Sequence, residues 1–454
     1  MSPSAKPSIG FVGLGAMGYG MATNLVKQGY QVYGYDISSA TLDRFAREGG
    51  HACQTLVEST RNVDYYICMV ASAPQAQSVL FDGEDPVAKT LRRGAVFILG
   101  STVPASFAVS VKEQFQKFGR DDIYFIDSPV SGGVIRASAG TLTMMAGGSE
   151  MALEKGEWLL KEMSAPDKLF ITGGIGAGSN MKMAHQVLAG IQILAASEVM
   201  GFASKLGIDP RVLRDEVCKS DGWSWMFENR VPRMLEEDYF PGVSALTVIL
   251  KDVVIITSSA LQQNFPTPLV SIAEQIYLSA LTLGFGGHDD AGMVRTYYTH
   301  PVSKVPEYFA REPEKLRSEP NISLIIRLLK AIHLCAAAEA ISFAKHLGIN
   351  LSQFYTLCAD AAGGSVMFRE KGLQMIHTIS GKNLKANTSV QNGVGNAATI
   401  RDFIDDLDDV LKEAQKVQSP LHLGTAARNL LLLAERRLGK QARDFEVIKF
   451  WEWT

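Results

Sequence analysis

The chain has 454 residues, of which 46% are hydrophobic and 20% are charged, a balance typical of globular proteins with two or three domains. Its formal net charge of −3 and the lack of any basic stripe exclude the electrostatic pattern of a nucleic-acid-binding protein. No apolar run is expected to reach the length of a membrane span, and the eight histidines form no metal-binding motif. We therefore predict no nucleic-acid partner, no membrane attachment and no bound metal.

Five scattered cysteines form no CxxC motif, and their number is odd: Cys53, Cys68, Cys218, Cys335 and Cys358. Such a set favours reduced thiols, most of them buried, and therefore a cytoplasmic protein. The first strand is expected to begin near Ile9, which leaves no room for a targeting peptide.

Residues 9–172 alternate short apolar runs with stretches of helical periodicity, as in a series of βαβ units. The predicted strands are "IGFVG", "QVYGYD", "YYICMV", "AVFILG", "IYFIDSP" and "LTMMAGG", and helices are predicted over 18–28 and 39–48. Most of these strands are continuously apolar, which is typical of a parallel sheet that is covered on both faces.

From Ser179 onward the strands stop, and the predicted helices cover 179–206, 210–219, 244–263 and 267–283. Residues 301–321 are rich in proline and charge and are predicted to be a linker. Residues 322–454 are again helical in pattern. The predicted fold class is therefore an α/β unit followed by two all-helical units.

A glycine-rich segment follows the first strand and opens the first helix, and it consists of Gly13, Leu14, Gly15, Ala16, Met17 and Gly18. Alone, this GxGxxG pattern fits a glycine-rich turn as well, but the flanking strand and helix favour a Rossmann-type dinucleotide site. The glycines let the backbone approach a pyrophosphate at the helix start. Asp36, which ends the second strand, would bind the adenosine ribose and repel a 2′-phosphate. Since residues 37–39 offer no arginine, we predict NAD rather than NADP.

Two further loops follow predicted strands. In "GSTVPA", Ser101 and Thr102 fit either contacts to the nicotinamide side of a cofactor or the N-cap of a helix. In "DSPVSGG", Ser131, Gly132 and Gly133 expose successive backbone N–H groups that suit a carboxylate, although a flexible turn has the same composition.

Lys182, His185 and Gln186 lie on one face of a predicted helix, at positions i, i+3 and i+4. A solvated surface lysine is the common alternative, but the apolar neighbours of this one favour a lysine that is buried or faces a cleft. Desolvation there would lower its pKa toward neutrality, as a general base requires. A second lysine with apolar flanks, Lys251, precedes Asp252, and a solvated ion pair is equally consistent with that spacing.

Taken together, these segments resemble the β-hydroxyacid dehydrogenase family, which includes 3-hydroxyisobutyrate, tartronate-semialdehyde and L-threonate dehydrogenases, with 6-phosphogluconate dehydrogenase as a relative. The resemblance covers about residues 8–298. It rests on four motifs in the family's order, which are GLGxMGxxMA at Gly13–Ala22, DxPVSGG at Asp127–Gly133, GxGxxxK at Gly176–Lys182 and KD at Lys251–Asp252. Four motifs in that order are highly specific.

The resemblance implies oxidation of a small hydroxy acid with NAD, with Lys182 as the catalytic acid/base and the Ser131–Gly133 loop on the substrate carboxylate. His185 and Gln186 stand where the family commonly has asparagine, and this pair is closer to the L-threonate branch. Arg136 replaces a glycine of many relatives, and it fits either a distal substrate group or a solvated helix start. The other residues implied are Trp225 at the substrate, and Met69, Val70, Thr102 and Lys251 at the cofactor.

Two other functions are compatible with parts of this pattern. An imine reductase has the same fold, but relatives of that kind usually lack the lysine found at Lys182. A catalytically idle NAD-binding protein is consistent with the additional helical region, but not with an intact lysine motif. The predicted partner molecule is therefore a small hydroxy acid.

A repeat relates the two helical regions. Residues 336–350, "AAAEAISFAKHLGIN", match residues 195–209, "AASEVMGFASKLGID", at eight of fifteen positions with a constant offset of 141 residues. Two copies of one helical domain are therefore predicted.

The second copy keeps the apolar face but not the predicted chemistry. At the same offset Lys182 becomes Ser323 and His185 becomes Ile326, and the flanking Leu and Val align the KD pair with Asp408–Asp409. The resemblance to 6-phosphogluconate dehydrogenase implies that copy two replaces a partner subunit's helical domain in an intrachain pseudo-dimer, with further homodimerisation left open. A decayed appendage is the alternative. The predicted domains are an NAD-binding Rossmann domain (1–174), a helical dehydrogenase domain (175–300), the linker (301–321) and a degenerate helical domain (322–454).

Overall fold

A mixed nine-stranded sheet forms the centre of the first of two units, Met1–Met183. The computed structural model describes residues 6–313, 316, 321–380 and 398–452. The strands are β1 (Ile9–Val12), β2 (Val32–Tyr35), β3 (His51–Ala52), β4 (Tyr65–Cys68), β5 (Val96–Leu99), β6 (Tyr124–Asp127), β7 (Val130–Ser131), β8 (Leu142–Gly148) and β9 (Ser164–Gly173). The helices are α1 (Ala16–Lys27), α2 (Ser39–Arg47), α3 (Leu56–Thr60), α4 (Ala73–Phe81), α5 (Val87–Thr90), α6 (Ala105–Lys117), α7 (Gly133–Ala139) and α8 (Glu150–Met163).

The strand order is β3-β2-β1-β4-β5-β6-β8-β7, and β9 pairs with β8. Strands β1 to β6 are parallel, whereas β8 is antiparallel to β6 and β7 and parallel to β9. The Rossmann-type unit is confirmed, and all six predicted strands are present. The sequence pattern missed β3 and β7, which have two residues each, and β9, in which Asp167 and Lys168 interrupt the apolar residues and only two residues are buried.

The strand order of the sheet reverses at β1, which is a topological switch point. The chain passes from β1 to β2 on one side, while β4 pairs with β1 on the other side, with Val12 opposite Cys68. The loops that follow β1 and β4 therefore start side by side at the carboxyl edge of the sheet, the usual ligand position in open α/β sheets. Apolar clusters cover both faces of the sheet and fix this edge in place.

Helices build the second unit, Ala184–Thr454. The helix α9 (Ala177–Lys205) begins in the first unit and continues into the second. It is followed by α10 (Pro210–Cys218), α11 (Trp225–Glu236), α12 (Leu246–Gln262), α13 (Pro268–Thr282), α14 (Val305–Arg311), α15 (Ile322–His346), α16 (Leu351–Ala359), α17 (Val366–Ile379), α18 (Ile400–Lys416) and α19 (His422–Leu438). Short 3₁₀ segments are present at Asp290–Thr296, Val302–Lys304 and Asp444–Trp451.

The predicted linker, 301–321, contains a helix of its own, α14. Its proline residues suggested an irregular segment, but Pro306 occupies the first turn of α14, where a missing N–H costs nothing. Residues 314–315 and 317–320 of the linker, and 381–397 of the predicted second copy, lie outside the described residues.

The helix α9 corrects one expectation about apolar length. It is long and apolar enough to cross a membrane by length and composition, although its most apolar window is entirely buried within the protein. Polar residues such as Gln192 and Glu198 interrupt the apolar sequence of α9, but its mean hydropathy stays high. The complete burial is that of a core helix.

The helices of the second unit occur in two series with the same order. Helices α10 and α16 begin at Pro210 and Leu351, 141 residues apart, and α11 and α17 keep this offset. Helices α12 and α18 begin at Leu246 and Ile400, 154 residues apart, and α13 and α19 keep that larger offset. The second series therefore has thirteen additional residues between the start of α17 and the start of α18.

The change of offset corrects one alignment. Lys251–Asp252 corresponds in position along its helix to Asp405–Asp406, and the prediction of Asp408–Asp409 is wrong. Leu407 and Val410 flank Asp408–Asp409 as Leu250 and Val253 flank Lys251–Asp252, so the flanking residues favoured the wrong pair.

Two segments pair across the two series by reciprocal bonds. The N–H of Trp225 donates to the carbonyl of Gly364 at 2.9 Å, and the N–H of Val366 donates to the carbonyl of Trp223 at 3.1 Å. Replacing each residue by its counterpart 141 positions away exchanges one bond for the other. The pairing therefore has local two-fold symmetry.

Two buried glutamates show the same symmetry at longer range. Glu198 in α9 and Glu339 in α15 are completely buried and lie 141 residues apart. Each carboxylate accepts two backbone hydrogen bonds, at 2.8–3.0 Å, from the first turn of a helix in the other series. The donors are Leu423 and Gly424 of α19 for Glu198, and Leu269 and Val270 of α13 for Glu339. A carboxylate stabilises the N-terminus of a helix. Each series therefore supplies the acceptor for the first-turn N–H groups of a helix in the other series.

Candidate active site

The three glycines of the loop after β1 have different surroundings. Gly13 has φ +89°, and a Cβ there would lie 2.5 Å from the carbonyl oxygen of Met69, in the loop after β4. A Cβ on Gly18 would lie 1.9 Å from the carbonyl oxygen of Gly13, so α1 can approach β1 only at a glycine. Gly15, by contrast, faces open space. The first and third glycines close the turn, and the second leaves room for a pyrophosphate beside the backbone.

Asp36 follows β2 and is held against this loop. Its Oδ2 accepts the backbone N–H of Leu14 at 2.7 Å, and its Oδ1 accepts that of Ser38 at 2.9 Å. The adjacent Ile37 is 92% exposed. The carboxylate is therefore fixed beside the glycine loop, where each oxygen has a further lone pair for a ribose hydroxyl.

The loop after β5 bears on one of the two alternatives for Ser101 and Thr102, the N-cap of the following helix. The helix α6 has Pro104 as its N-cap residue, without a side-chain cap. The Ser101 hydroxyl is buried instead and lies 3.5 Å from the carbonyl oxygen of Cys68, while Thr102 is half-buried. The helix-cap alternative is therefore wrong. Met69 and Val70 in the neighbouring loop are half-buried at the same edge of the sheet.

The loop after β7 is built from Ser131, which is 8% exposed, and two glycines with positive φ, +138° at Gly132 and +72° at Gly133. Arg136 is half-buried, and its side chain folds back over this turn. A Cβ on Gly132 would lie 2.8 Å from the Cδ of Arg136. Position 132 therefore favours glycine, because of its backbone conformation and its closeness to the aliphatic part of Arg136. Both predicted alternatives for the Arg136 guanidinium stay open.

A clamp at the start of α9 ties this helix to the end of β6. Ser179 donates its backbone N–H to Asp127 Oδ2 at 2.8 Å and its hydroxyl to Asp127 Oδ1 at 2.7 Å. A Cβ on Gly178 would lie 2.5 Å from the carbonyl oxygen of Asp127. Lys182 follows one turn later and is only 5% exposed, so the clamp fixes the turn that carries it.

Asp127 is completely buried, and this burial raises the pKa of its carboxyl to about 6, although the bonds from Ser179 act in the opposite direction. A buried carboxylate with two good donors is a strong constraint on position, because losing a donor leaves an unsatisfied acceptor.

A second polar cluster joins α9 to α12 in the helical unit. His185 Nδ1 and Gln186 Oε1 are 3.0 Å apart, and Gln186 Nε2 donates to Asp252 Oδ2 at 2.6 Å. Lys251 Nζ lies 3.2 Å from Asp252 Oδ1. His185, Gln186 and Asp252 are buried, and Lys251 is half-buried. The Lys251–Asp252 pair is therefore not simply solvated, because its carboxylate is committed to Gln186.

The remaining predicted substrate residue, Trp225, is the first residue of α11 and is half-buried. Its backbone lies in the reciprocal pairing with Gly364. The structure thus places Lys182 and the predicted cofactor residues other than Lys251 in the first unit. The second unit holds His185, Gln186, Trp225 and Lys251. Lys182, His185 and Gln186 share α9.

Sequence reasoning missed the roles of Asp127, Ser179 and Asp252. Asp252 was detectable, because it lies in phase with Ile249 and Ile256 on the buried stripe of α12, where a carboxylate needs a partner. Asp127 and Ser179 are 52 residues apart in sequence, and no local pattern connects them.

The thiols agree with the expectation from the composition. All five cysteines are free, and four of them are buried, which confirms the expected mostly buried thiols. Within the described ranges, no group of three or more His, Cys, Asp or Glu side chains is arranged to hold a metal ion.

Two family models together match most of the chain. The NAD-binding domain of 6-phosphogluconate dehydrogenase matches residues 8–175. A model described as NAD-binding of NADP-dependent 3-hydroxyisobutyrate dehydrogenase matches residues 176–297 and again residues 322–451. The second model thus fits both series of helices.

Several known proteins are similar to the first two thirds of the chain. An L-threonate dehydrogenase of Cupriavidus necator is 38% identical over 291 residues, which are 64% of this chain and 96% of that protein. The mitochondrial 3-hydroxyisobutyrate dehydrogenase of Mus musculus is 30% identical, over 63% of this chain and 86% of its own length. The crystal structure of a 3-hydroxyisobutyrate dehydrogenase from Salmonella typhimurium is 32% identical with a TM-score of 0.59, over 64% of this chain and all of that one.

One solved structure is similar over both series of helices. The 6-phosphogluconate dehydrogenase of Plasmodium falciparum is 16% identical with a TM-score of 0.64, and the match covers 94% of this chain and 92% of that one. At this level of identity the similarity is one of fold.

Proposed function

The chain belongs to the β-hydroxyacid dehydrogenase family, and from this premise we propose that it oxidises a small polyhydroxy acid of the L-threonate kind. It is a dehydrogenase with a nicotinamide dinucleotide as hydride acceptor. The observation that carries the proposed mechanism is the buried Lys182, one turn beyond the clamp between Ser179 and Asp127. The L-threonate dehydrogenase relatives and the adjacent His185–Gln186 pair support the polyhydroxy acid.

Each group of the chain has one task in this proposal. The Ser131 hydroxyl and the backbone N–H groups of Gly132 and Gly133 hold the substrate carboxylate and so orient the carbon to be oxidised. Lys182 Nζ, in its neutral form, takes the proton of the reacting hydroxyl. The nicotinamide, when bound, accepts the hydride from the same carbon. One C–H and one O–H bond break, a C=O bond forms, and the carboxylate stays bound.

We propose NAD as the preferred cofactor. The fixed carboxylate of Asp36 suits the two ribose hydroxyls and repels a 2′-phosphate, and Ile37 beside it offers no positive charge. The open space at Gly15 leaves the backbone accessible to the pyrophosphate. Thr102, Met69, Val70 and Lys251 are proposed as further cofactor contacts.

We also propose that the two series of helices arose by duplication and form an intrachain pseudo-dimer. Three observations support this, namely the double match of one family model, the same order of helices in both series and the reciprocal contacts of Glu198 and Glu339. Copy two has Ser323 at the position of Lys182, so one catalytic site per chain is expected. The domain boundaries near residues 174, 300 and 321, and a cytoplasmic location, stay predictions.

The direct test is an assay of NAD and NADP reduction by the purified chain with a panel of hydroxy acids. The panel includes L-threonate, 3-hydroxyisobutyrate, tartronate and 6-phosphogluconate, and a cyclic imine with reduced cofactor tests the alternative of an imine reductase. Turnover of L-threonate with NAD is the expected result. Cofactor binding without turnover of any compound would instead identify an idle NAD-binding protein.

A further inference from the structure

The bonds that join Asp252, Gln186 and His185 have a defined direction. Lys251 Nζ lies 3.2 Å from Asp252 Oδ1 in an ion pair, and a carboxylate in an ion pair only accepts hydrogen bonds. The Gln186 atom at 2.6 Å from Asp252 Oδ2 is therefore its amide nitrogen. This assignment fixes which end of the Gln186 amide faces His185.

The opposite end of the amide sets the proton on the imidazole. Gln186 Oε1, which faces His185 Nδ1 at 3.0 Å, has no hydrogen and can only accept. Nδ1 must therefore carry the proton of the ring. In a neutral imidazole this leaves the lone pair on Nε2.

We propose that Asp252, acting through Gln186, is a positioning residue that holds His185 as the Nδ1–H tautomer, with Nε2 as an acceptor for a substrate hydroxyl. The substrate part rests on the proposed function. It favours acids with a hydroxyl beyond the reacting one, such as L-threonate, over 3-hydroxyisobutyrate, which has a methyl branch instead. Gln186 is then an orienting group rather than a direct substitute for the family's asparagine.

Copy two supports the ring of His185 from another side. The loop that contains Gly363 lies so close that a Cβ there would be 3.5 Å from His185 Cδ2 and 3.0 Å from a methyl group of Leu188. Gln192 Nε2 donates to the carbonyl of Gly363 at 3.0 Å and fixes this loop. Packing therefore restrains the plane of the imidazole. The hydrogen bond to Gln186 determines which ring nitrogen carries the proton.

The second series provides a matched control at the equivalent positions. Arg327 and Asp406 stand where the first series has Gln186 and Asp252, and Arg327 donates to Asp406 Oδ1 at 3.1 Å. The position of His185 is taken by Ile326. Asp406→Asn therefore removes the same carboxylate from the same place in the fold without an imidazole in reach.

The first experiment is long-range ¹H–¹⁵N NMR on the full chain with ¹⁵N-labelled histidine, at neutral pH and without ligand. His185→Phe identifies the signals of His185. The wild type and Asp406→Asn should show the Nδ1–H tautomer. Asp252→Asn should lose at least about half of that population, since an asparagine amide can donate to Gln186 and reverse the bonds. An Nε2–H form in the wild type, or no change in Asp252→Asn, would overturn the proposal.

A second variant and an activity measurement complete the test. Gln186→Met removes the acceptor while keeping the length of the side chain, so it should also lose the Nδ1–H preference. This variant decides the question if Asp252→Asn does not fold. The ratio of kcat/KM for L-threonate to that for 3-hydroxyisobutyrate should fall about tenfold in Asp252→Asn, mainly through KM, and stay constant in Asp406→Asn. An unchanged ratio despite a changed tautomer would overturn the substrate part. A wild type that oxidises no hydroxy acid would reject the proposed function, while the NMR result still decides the tautomer.

Discussion

Glu198 and Glu339 lie 141 residues apart and make the same contact in opposite directions, each with its carboxylate on the first turn of a helix from the other series. The N-cap positions of these helices, Thr267 for α13 and Leu421 for α19, make no side-chain cap of their own. Without the glutamates, buried N–H groups would lose their partners. Each series therefore depends on the other for a complete helix start.

The two glutamates predict a pH dependence of stability. Burial raises the pKa of each carboxyl from 4.5 to about 7. The folded state thus binds the proton more tightly than the unfolded state. Each carboxyl therefore contributes up to about 3 kcal/mol to the free energy of unfolding. This contribution is fully present below pH 4.5 and is lost as the pH rises through about 7. Denaturant unfolding of the wild type and Glu198→Gln between pH 4.5 and 8 measures it.

The comparison with a variant is needed because another group acts in the opposite direction. Burial lowers the pKa of His333 to about 3, and its contribution grows as the pH rises toward 6.5. Glu198→Gln should be less stable than the wild type, since its amide places an N–H against backbone donors. Its free energy of unfolding should also decrease less than that of the wild type between pH 4.5 and 7, because one titrating carboxyl is gone. The exposed Glu216→Gln serves as control. Parallel pH curves for Glu198→Gln and the wild type would contradict the prediction.

Loss of the Lys182 amine should abolish proton transfer but not cofactor binding. For Lys182→Ala we expect kcat to fall at least about a hundredfold, the scale of a lost general base. Dissociation constants for the cofactor, measured by fluorescence titration, should stay within about twofold, because Gly13, Gly15 and Asp36 are untouched. The exposed Lys161→Ala should behave as the wild type. Activity of Lys182→Ala within a few-fold of the wild type would reject the role of this lysine.

The clamp at the start of α9 should affect stability and activity together. Ser179→Ala leaves Asp127 Oδ1 buried without its hydroxyl donor, which costs about 1–3 kcal/mol. The free energy of unfolding should fall by that amount, and kcat should fall because the turn that carries Lys182 loses its anchor. Ser110→Ala removes a hydroxyl bond from a helix of the same unit, to Phe107, and is the matched control. Equal effects of the two substitutions would argue against a special role for the clamp.

Cofactor preference should follow the carboxylate of Asp36. The double change Asp36→Ser and Ile37→Arg removes the repulsion of a 2′-phosphate and adds a charged donor for it. The ratio of kcat/KM with NADP to that with NAD should rise about tenfold or more, the scale of one charge-assisted hydrogen bond. The exposed substitution Ile135→Arg controls for added charge. A wild type that already prefers NADP would show that Asp36 has been misinterpreted.

Removal of copy two should expose the surface that it covers. In a chain ending at residue 318, Glu198 loses Leu423 and Gly424, and the first turn of α13 loses Glu339. We expect this fragment to self-associate or aggregate, and any monomer to lose activity. Light scattering combined with activity per chain measures both. A soluble, monomeric and fully active fragment would show that copy two is an appendage.

The strands and helices were largely predictable because their patterns are local. Continuous apolar runs marked β1, β4 and β5, and the 3.6-residue period marked α9 and α12. The helix α11 was missed as an element because Pro232 lies inside it, and tertiary packing overrides the proline. The offset between α17 and α18 was also missed, since an insertion in a variable connection leaves no mark on either helix.

The residues of the site were predictable where they belong to a short sequence motif with a known chemical role. Gly13, Asp36 and Lys182 belong to short motifs whose spacing follows from the backbone of a strand–helix unit. The partnership of Gln186 with Asp252 was not predictable, because the two residues are 66 positions apart and lie on different helices.

The local two-fold pairing has an evolutionary consequence. In a symmetric homodimer a single mutation alters both sides of a two-fold interface at once. In this chain the two sides are encoded separately, and Gln192 and His333 already differ at equivalent positions. Gln192 donates to the carbonyl of Gly363, whereas His333 is an imidazole kept neutral by burial. Selection can therefore preserve the half that carries His185 and Gln186 while the other half drifts, a freedom that identical subunits do not have.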